Sequence, residues 1–193
     1  MKESTIRSTR LSRAAAWKLF LRYNKEPFHL LHARTVEGTM RWFARELGFG
    51  AEEEYWGIVG MLHDIDFELW PQEHCARSLV LLKEAGVEDS IARAVASHGY
   101  AIVNDIAPEH PMERVLYAVD ELTGLLGAIV LMYPSKRAKD LNLKSVHKKF
   151  KDRKFAAGCS REVISRGAGL LGWTLDELFE KTIAALQSLE PEG

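Results

Sequence analysis

The segment GMLHDID, residues 60–66, ends an apolar helical run in an adjacent imidazole and carboxylate, His63 and Asp64. A buried carboxylate without a partner is costly, so this pair requires solvent, a hydrogen-bonding neighbour or a metal ion. For an isolated pair the preferred explanation is a helix C-terminus, where the dipole favours a histidine, followed by an aspartate that opens the loop. The rest of the chain decides between these explanations.

The composition is that of an ordinary globular protein. The 193 residues are 47% hydrophobic and 27% charged with a formal net charge of -1, so the chain can bury one core and has no built-in attraction for polyanions. Its two cysteines, Cys75 and Cys159, are too few for a disulfide scaffold and favour a reduced compartment. Residues 1–13 lack the apolar core of a signal peptide, and no stretch reaches the roughly 20 apolar residues of a membrane span, so we expect a cytoplasmic protein.

Apolar residues recur at three- and four-residue spacing along most of the chain, and proline, glycine and capping residues separate the runs. This pattern predicts helices. Strand-type alternation is lacking, so the sequence predicts an all-α fold, a single-domain helical bundle. The predicted helices cover residues 11–23, 27–48, 52–62, 71–86, 91–98, 111–134, 160–171 and 174–189, the first capped by Ser8 or Thr9 and the last opened by a capping box of Thr174 and Glu177.

Three further polar residues fall on apolar helical stripes. His32 lies between Phe28 and Val36 on one predicted helix, and His98 continues the stripe of another. A single histidine in such a place is more often a core residue bonded to a backbone carbonyl than a metal ligand. Asp120 interrupts the apolar run 111–134, and a mid-helix carboxylate has no local backbone donor to satisfy it.

Taken together, these residues suggest a metal site. His32, the pair 63–64, His98 and Asp120 lie on four predicted helices, each at a buried or core-proximal position. Neutral imidazoles and carboxylates supply the mixed nitrogen and oxygen donors that first-row transition metals accept. The helices of a bundle can direct such side chains at one point.

The order and spacing of these residues resemble those of the HD-domain metal-dependent phosphohydrolases, in particular small bacterial members of that superfamily. The matching motifs are Leu31-His32, GMLHD at 60–64, Ser97-His98 and AVDEL at 118–122. The resemblance covers about residues 25–135 and implies a helical bundle of the HD type. The C-terminal helices, at about 136–190, are expected to pack on this metal-binding core.

The resemblance also implies a ligand set. One divalent metal ion would be held by four residues, His32, His63, Asp64 and Asp120. His74 and His98 stand in the order of the ligands that bind a second ion in two-metal members, and His74 is alternatively a contact to the substrate phosphate. The implied metal is Mn, Fe, Co, Ni or Zn, with Mg as a further candidate.

The implied chemistry is hydrolysis of a phosphomonoester or phosphodiester of a nucleotide-like small molecule by metal-activated water. Asp64 would bind the metal and orient the water, and Asp66 or Glu68 would act as general acid or base. The alternative explanation for Asp66 and Glu68 is that they are solvated loop acids. Lys136 and Arg137 are candidates to neutralise the substrate phosphate.

Two functions of other classes remain open on the same residues. A di-iron oxygenase of the HD type would use dioxygen instead of water, and a non-catalytic nucleotide-binding module would bind nucleotide without turnover. The basic segment 144–154, with six basic residues and one acid, is expected to be a solvated helix face. Aromatic interleaving typical of nucleic-acid binding is limited there to Phe150 and Phe155. A homodimer also remains open.

Overall fold

Helices α2 (Pro27–Glu46) and α6 (Pro111–Val130) form the frame of the fold; each has 20 residues and so spans about 30 Å. The computed structural model describes residues 6–190, and within them it contains no β-strand and one isolated bridge, between Tyr100 and Asn104. The predicted all-α fold in one domain is confirmed. The other α-helices are α1 (Arg13–Phe20), α3 (Glu53–Leu62), α4 (Ala76–Glu84), α5 (Asp89–Ala96), α7 (Leu143–Lys151), α8 (Arg161–Leu171) and α9 (Leu175–Ser188).

Helix α3 lies at the centre and is buried on all sides from Tyr55 to Leu62, as expected of a helix that is apolar around its circumference. It packs on α2, whose buried face includes Val36, Met40 and Phe43. Gly60 makes the approach close, because a Cβ there would lie 2.8 Å from Cγ of Met40 and 3.0 Å from the carbonyl oxygen of Val36. The C-terminal end of α3 therefore lies against α2.

The C-terminal helices pack on this frame. Helix α8 contacts α6 so closely that a Cβ on Gly167 would lie 2.5 Å from Cα of Ala118, and α9 contacts both α2 and α6. The predicted capping box of α9 is confirmed. The N–H of Glu177 donates to Oγ1 of Thr174 at 3.1 Å, and the N–H of Thr174 donates to the Glu177 carboxylate at 2.7 Å.

The helix predicted over residues 71–86 is wrong in its first turn. Pro71–Glu73 is a single turn of 3₁₀ helix, Cys75 has a left-handed backbone with φ 65°, and α4 begins only at Ala76. The Asp66 carboxylate accepts the N–H of Ser78 at 2.8 Å and lies 2.9 Å from Nδ1 of His74. These long-range bonds override the local helical pattern.

Smaller corrections concern helix ends and one buried stripe. Ser12 caps α1, not Ser8 or Thr9, and Oγ1 of Thr9 instead bonds the carboxylate of Glu88. Helix α5 ends at Ala96, so His98 lies in the 3₁₀ turn Ser97–Gly99 that follows it. Phe28, predicted on the buried face of α2, is 68% exposed because it lies in the first turn, beyond the edge of the core.

Nowhere in residues 6–190 does a helix combine the length and the apolarity needed to cross a membrane. The first five residues of the stretch 1–13, for which the sequence predicts no signal peptide, lie outside the described part of the chain.

Candidate metal centre

Four of the predicted ligands converge at one place, which we call the helical quartet: His32, His63, Asp64 and Asp120. Nε2 of His32 lies 3.0 Å from Oδ1 of Asp120, and Nε2 of His63 lies 3.2 Å from that same oxygen. Nε2 of His63 also lies 3.2 Å from Oδ2 of Asp64. One ligand atom from each residue falls within 4.8 Å of all the others, so the quartet can hold a metal ion.

The quartet follows from how three helices meet. His32 lies on α2 and Asp120 on α6, while His63 and Asp64 follow the last residue of α3. The close packing of α3 on α2 brings the His32 and His63 rings to a centroid distance of 5.0 Å. Nδ1–H of His63 donates to the carbonyl oxygen of Gly60 at 2.8 Å, which turns Nε2 toward the other ligands.

A second group lies beside the quartet, and we call it the turn trio: His74, Cys75 and His98. Nε2 of His74 lies 2.9 Å from Nε2 of His98, and Sγ of Cys75 lies 3.9 Å from the latter atom. The left-handed backbone at Cys75 is uncommon for a residue with a Cβ, and here it lets two consecutive side chains face His98. Cys75 was not predicted as a metal ligand from the sequence, because nothing in the local pattern signals its backbone conformation.

Asp64 stands between the two groups. Its Oδ2 lies 3.2 Å from Nε2 of His63 and 3.7 Å from Nε2 of His32. Its Oδ1 lies 3.6 Å from Nε2 of both His74 and His98. Each carboxylate oxygen therefore faces one pair of imidazoles, which is the arrangement of a carboxylate able to bridge two cations.

The hydrogen bonds of the ring nitrogens leave lone pairs facing one another. Nδ1–H of His74 donates to Asp66, and Nδ1–H of His98 donates to the carbonyl oxygen of Val95 at 2.5 Å. In the neutral tautomers this leaves both Nε2 atoms as acceptors. Two acceptors 2.9 Å apart repel each other unless a proton or a metal ion lies between them. The same holds at 3.2 Å for Nε2 of His32 and His63 when His32 also presents an unprotonated Nε2.

The electrostatics of the metal-free site show how strongly it attracts positive charge. Burial opposes protonation of His63, but the carboxylates of Asp64 and Asp120 outweigh it and raise the pKa of His63 to about 10. Burial likewise opposes protonation of His74, whose pKa rises to about 9 mainly through its hydrogen bond to Asp66. The negative charge of the carboxylates stabilises the protonated imidazoles, and a metal ion can replace these protons.

The carboxyl groups and the thiol of the site also have pKa values that are lowered by neighbouring positive charge. Burial opposes ionisation of Asp64 and Asp120, yet the positive charge of His63 holds the pKa of both carboxyls below its usual value. Burial also opposes ionisation of Cys75, but the neighbouring charge of His98 lowers the pKa of the thiol to about 7. A thiolate at Cys75 is therefore accessible near neutral pH, which makes this side chain a competent ligand.

Glu121 lies next to the quartet and was not predicted as a site residue. Burial and the negative charge of Asp120 raise the pKa of Glu121 to about 7, although its carboxylate accepts the N–H of Ser160 at 3.2 Å. Through this bond α6 is joined to the start of α8. The sequence signal was limited to an acid directly after Asp120.

The predicted acids of the loop after α3 lie in different surroundings. Asp66 is fully buried, and its two oxygens are engaged by His74 and by the N–H of Ser78. Glu68 accepts the backbone N–H of Lys25 at 2.8 Å and that of Glu26 at 3.1 Å, just before α2 begins. Both acids therefore form hydrogen bonds that stabilise the segments around the site, and neither fits the alternative of a freely solvated loop acid.

The structure does not bring the predicted phosphate-binding cations to the quartet. Lys136 and Arg137 follow the end of α6 at Val130, and that end lies ten residues, or about 15 Å, beyond Asp120 along the helix. Arg137 lies 3.4 Å from the carboxylate of Glu190. Most of the basic segment 144–154 forms helix α7 and the start of the loop that follows it.

Comparison of this chain with protein-family models, with curated proteins and with solved structures gives no match.

Proposed function

We propose that this chain is an HD-type metal-dependent phosphohydrolase that cleaves a phosphate ester of a nucleotide-like small molecule. The observation that carries the proposal is the position of Asp64, with one oxygen facing the helical quartet and the other facing the turn trio. A carboxylate between two groups of imidazoles supports a centre with two ions, in which Asp64 is the shared ligand. The motif order described above gives the same ligands except Cys75.

The donor set favours particular metals. Imidazoles make up two of the four ligands of the quartet and two of the three of the trio. Imidazole suits Zn, Fe, Co, Ni and Mn better than Mg, which prefers an all-oxygen shell. Nδ1 of His74 is held by Asp66 and its Nε2 faces His98, which supports a metal-binding role for His74 over a contact with the substrate phosphate. Metal ions in this site would supply a Lewis acid and a water of lowered pKa.

The residues of the chain would supply placement and charge. His32 and Asp120 lie on long, well-packed helices, so the positions of these two ligands are fixed before a substrate phosphate binds. Asp66 is a positioning residue, because it acts on the site through His74. Glu121, which follows Asp120 and has its pKa raised to about 7, can carry a proton at neutral pH and is our candidate for the acid or base.

The test is metal analysis of the purified chain, followed by a screen of nucleotides for phosphate release and of dinucleotides and cyclic dinucleotides for cleavage to their phosphomonoester products. We expect bound transition metal and metal-dependent hydrolysis; in Asp120→Asn hydrolysis should be lost and the metal content reduced. Asp176→Asn, which changes an exposed aspartate in the first turn of α9, beyond the motif region at 25–135, is the matched control. Bound metal without hydrolysis of any of these substrates would contradict the proposal.

A di-iron oxygenase is the second candidate, because a carboxylate between two histidine groups also suits a pair of iron ions. Oxygen-dependent turnover in iron-loaded protein, with no phosphate released under anaerobic conditions, would favour it. Nucleotide binding without turnover under either condition would favour the non-catalytic module. The cytoplasmic location and a homodimer stay predictions.

A further inference from the structure

Two phenylalanines lie exposed beside the metal centre, on separate elements. Phe28, in the first turn of α2, is 68% exposed, and Phe67, in the loop after α3, is 40% exposed. Single exposed apolar residues are common, but a group of them beside a polar site marks a binding surface. We call Phe28, His29 and Phe67 the aromatic rim.

The rim is continuous with the metal ligands at both ends. The ring of Phe28 is parallel to that of His32, with an interplanar angle of 2° and a centroid distance of 6.2 Å. The ring of Phe67 meets His74 edge-on at 5.0 Å. His29 lies between the two phenylalanines, 5.6 Å from Phe28 and 6.0 Å from Phe67. One end of the rim thus adjoins the helical quartet, and the other adjoins the turn trio.

The two parts of the rim are held in register by hydrogen bonds between the elements that carry them. Glu68, next to Phe67, accepts the N–H groups of Lys25 and Glu26, which lead directly into α2 and Phe28. Nδ2–H of Asn24 donates to the carbonyl oxygen of Ile65 at 3.0 Å. The loop after α3 is therefore fastened to the start of α2, and the backbone that carries the two phenylalanines is held in place before any ligand arrives. Such preorganisation lowers the entropy cost of binding.

We propose that the aromatic rim binds the planar ring of the substrate, a nucleobase, while the phosphate lies at the metal centre. This inference rests on the proposed phosphohydrolase function, whose substrate it narrows to compounds that carry an aromatic ring. Rings stack on aromatic side chains regardless of the identity of the base, so the rim selects for a base without selecting strongly among bases. Stacking would also add binding energy to that of the phosphate at the metal centre.

A nucleobase fits these observations better than an extended apolar ligand. The rim consists of three side chains, and the charged residues Lys25, Glu26 and Glu68 lie within three residues of its phenylalanines in the chain, so polar groups flank the rings. The rings also lie at the metal ligands, where a small molecule can reach the rim and the centre together. A protein partner or a second copy of this chain covering the rim is a distinct outcome of the test.

The test uses the full chain loaded with Mn²⁺ and two substrates that share a ribose 5-phosphate group, adenosine 5′-monophosphate and ribose 5-phosphate. In Phe28→Ala and Phe67→Ala we expect kcat/KM for adenosine 5′-monophosphate to fall by about 10-fold or more, the size of one lost stacking contact. Hydrolysis of ribose 5-phosphate should be unchanged, and Phe28→Trp should retain the preference for the nucleotide. Leu131→Ala is the matched control, because Leu131 is also 68% exposed but lies at the far end of α6.

Other outcomes of this test would overturn the inference or the proposed function. Equal loss with both substrates would assign the phenylalanines to holding His32 and His74 in place, and no loss with either would remove them from the site; both results overturn the inference. A change in sedimentation of the two alanine variants would identify the rim as a contact between chains and overturn it as well. If the wild-type chain releases no phosphate, only the proposed function is contradicted. Calorimetric titration with the same two ligands then measures whether the rim binds the ring.

Discussion

The two halves of the metal centre are built on different kinds of backbone. In the helical quartet, His32 and Asp120 lie within 20-residue helices, and His63 directly follows a fully buried one. In the turn trio, His74 and Cys75 lie between a 3₁₀ turn and α4, and His98 lies in another 3₁₀ turn. Both groups face Asp64, so a single centre combines a half positioned by helix packing with a half positioned by turns.

The difference lies in what fixes each ligand. Helix periodicity and the packing of α2, α3 and α6 fix the direction of the quartet's side chains. The trio depends on individual contacts: Asp66 with His74, and Cys75 with Gly99, where a Cβ would lie 2.6 Å from Sγ of Cys75. The left-handed backbone at Cys75 costs on the order of 1–3 kcal/mol, which those contacts must offset. We therefore expect the trio to be the more easily lost half.

The largest effect should come from Asp64→Ala, because the two carboxylate oxygens of Asp64 face the two halves. Both ions and phosphate release should be lost together, with activity falling by more than about 1,000-fold, as expected when the shared charge at a catalytic centre is removed. Metal analysis and phosphate release measure this. A variant that still binds two ions would show that the halves are independent.

The next effect separates the halves with a matched pair of variants. Asp120→Asn removes one carboxylate from the quartet, and His74→Ala removes one imidazole from the trio. Each should reduce the metal content from two ions to one, and the remaining ion should differ between the two variants. Paramagnetic spectra of the Mn²⁺- or Co²⁺-loaded proteins distinguish the sites. Loss of both ions in either variant would contradict the division into two halves.

Asp66→Asn tests whether the trio depends on an outer contact. The amide would keep the size of the side chain but lose the charge that holds Nδ1–H of His74, so affinity for the trio's ion should fall by about 10- to 100-fold. Affinity for the quartet's ion should not change. Competition with a chelator measures both affinities, and circular dichroism checks that this buried substitution leaves the helices intact. Equal weakening of both ions would indicate a general loss of structure.

The smallest effect is a pH dependence of the metal-free protein and of metal binding. The pKa of His63 is raised from 6.5 to about 10 when the chain folds without metal. Its protonation therefore contributes stability that is fully present below about pH 6.5 and is lost as the pH rises through about 10. Because metal must displace this proton, metal affinity should rise about 10-fold per pH unit between pH 7 and 9 for each proton released.

Thermal unfolding of metal-free protein at pH 6, 8 and 10 measures the first effect, and calorimetry in buffers of different ionisation enthalpy counts the protons released by metal. A Tm that stays constant to pH 10, together with metal binding that releases no proton, would show that His63 is neutral in the metal-free fold.

Several features of the site could be predicted because they violate a local pattern. Asp120 interrupts an apolar helix, and His63 and Asp64 end another, so their residue types alone mark them as needing partners. The helical spacing also predicted the frame of the fold and the capping box at Thr174, since these depend on residues three or four apart. The interpretation of Asp66 and Glu68 as catalytic acids used chain position alone, and their contacts give both a supporting role.

The sequence by itself determined that the chain folds into helices and that its polar residues within apolar helices need partners, because both follow from the chemistry of neighbouring residues. Only the tertiary structure decided the turn at 71–75, the placement of Cys75 beside His98, and the exposure of Phe28 beside the centre. These depend on bonds between residues distant in sequence, such as Asp66 to Ser78 and Glu68 to Lys25. Local propensity differs by less than about 1 kcal/mol between most residues, and one or two such bonds outweigh it.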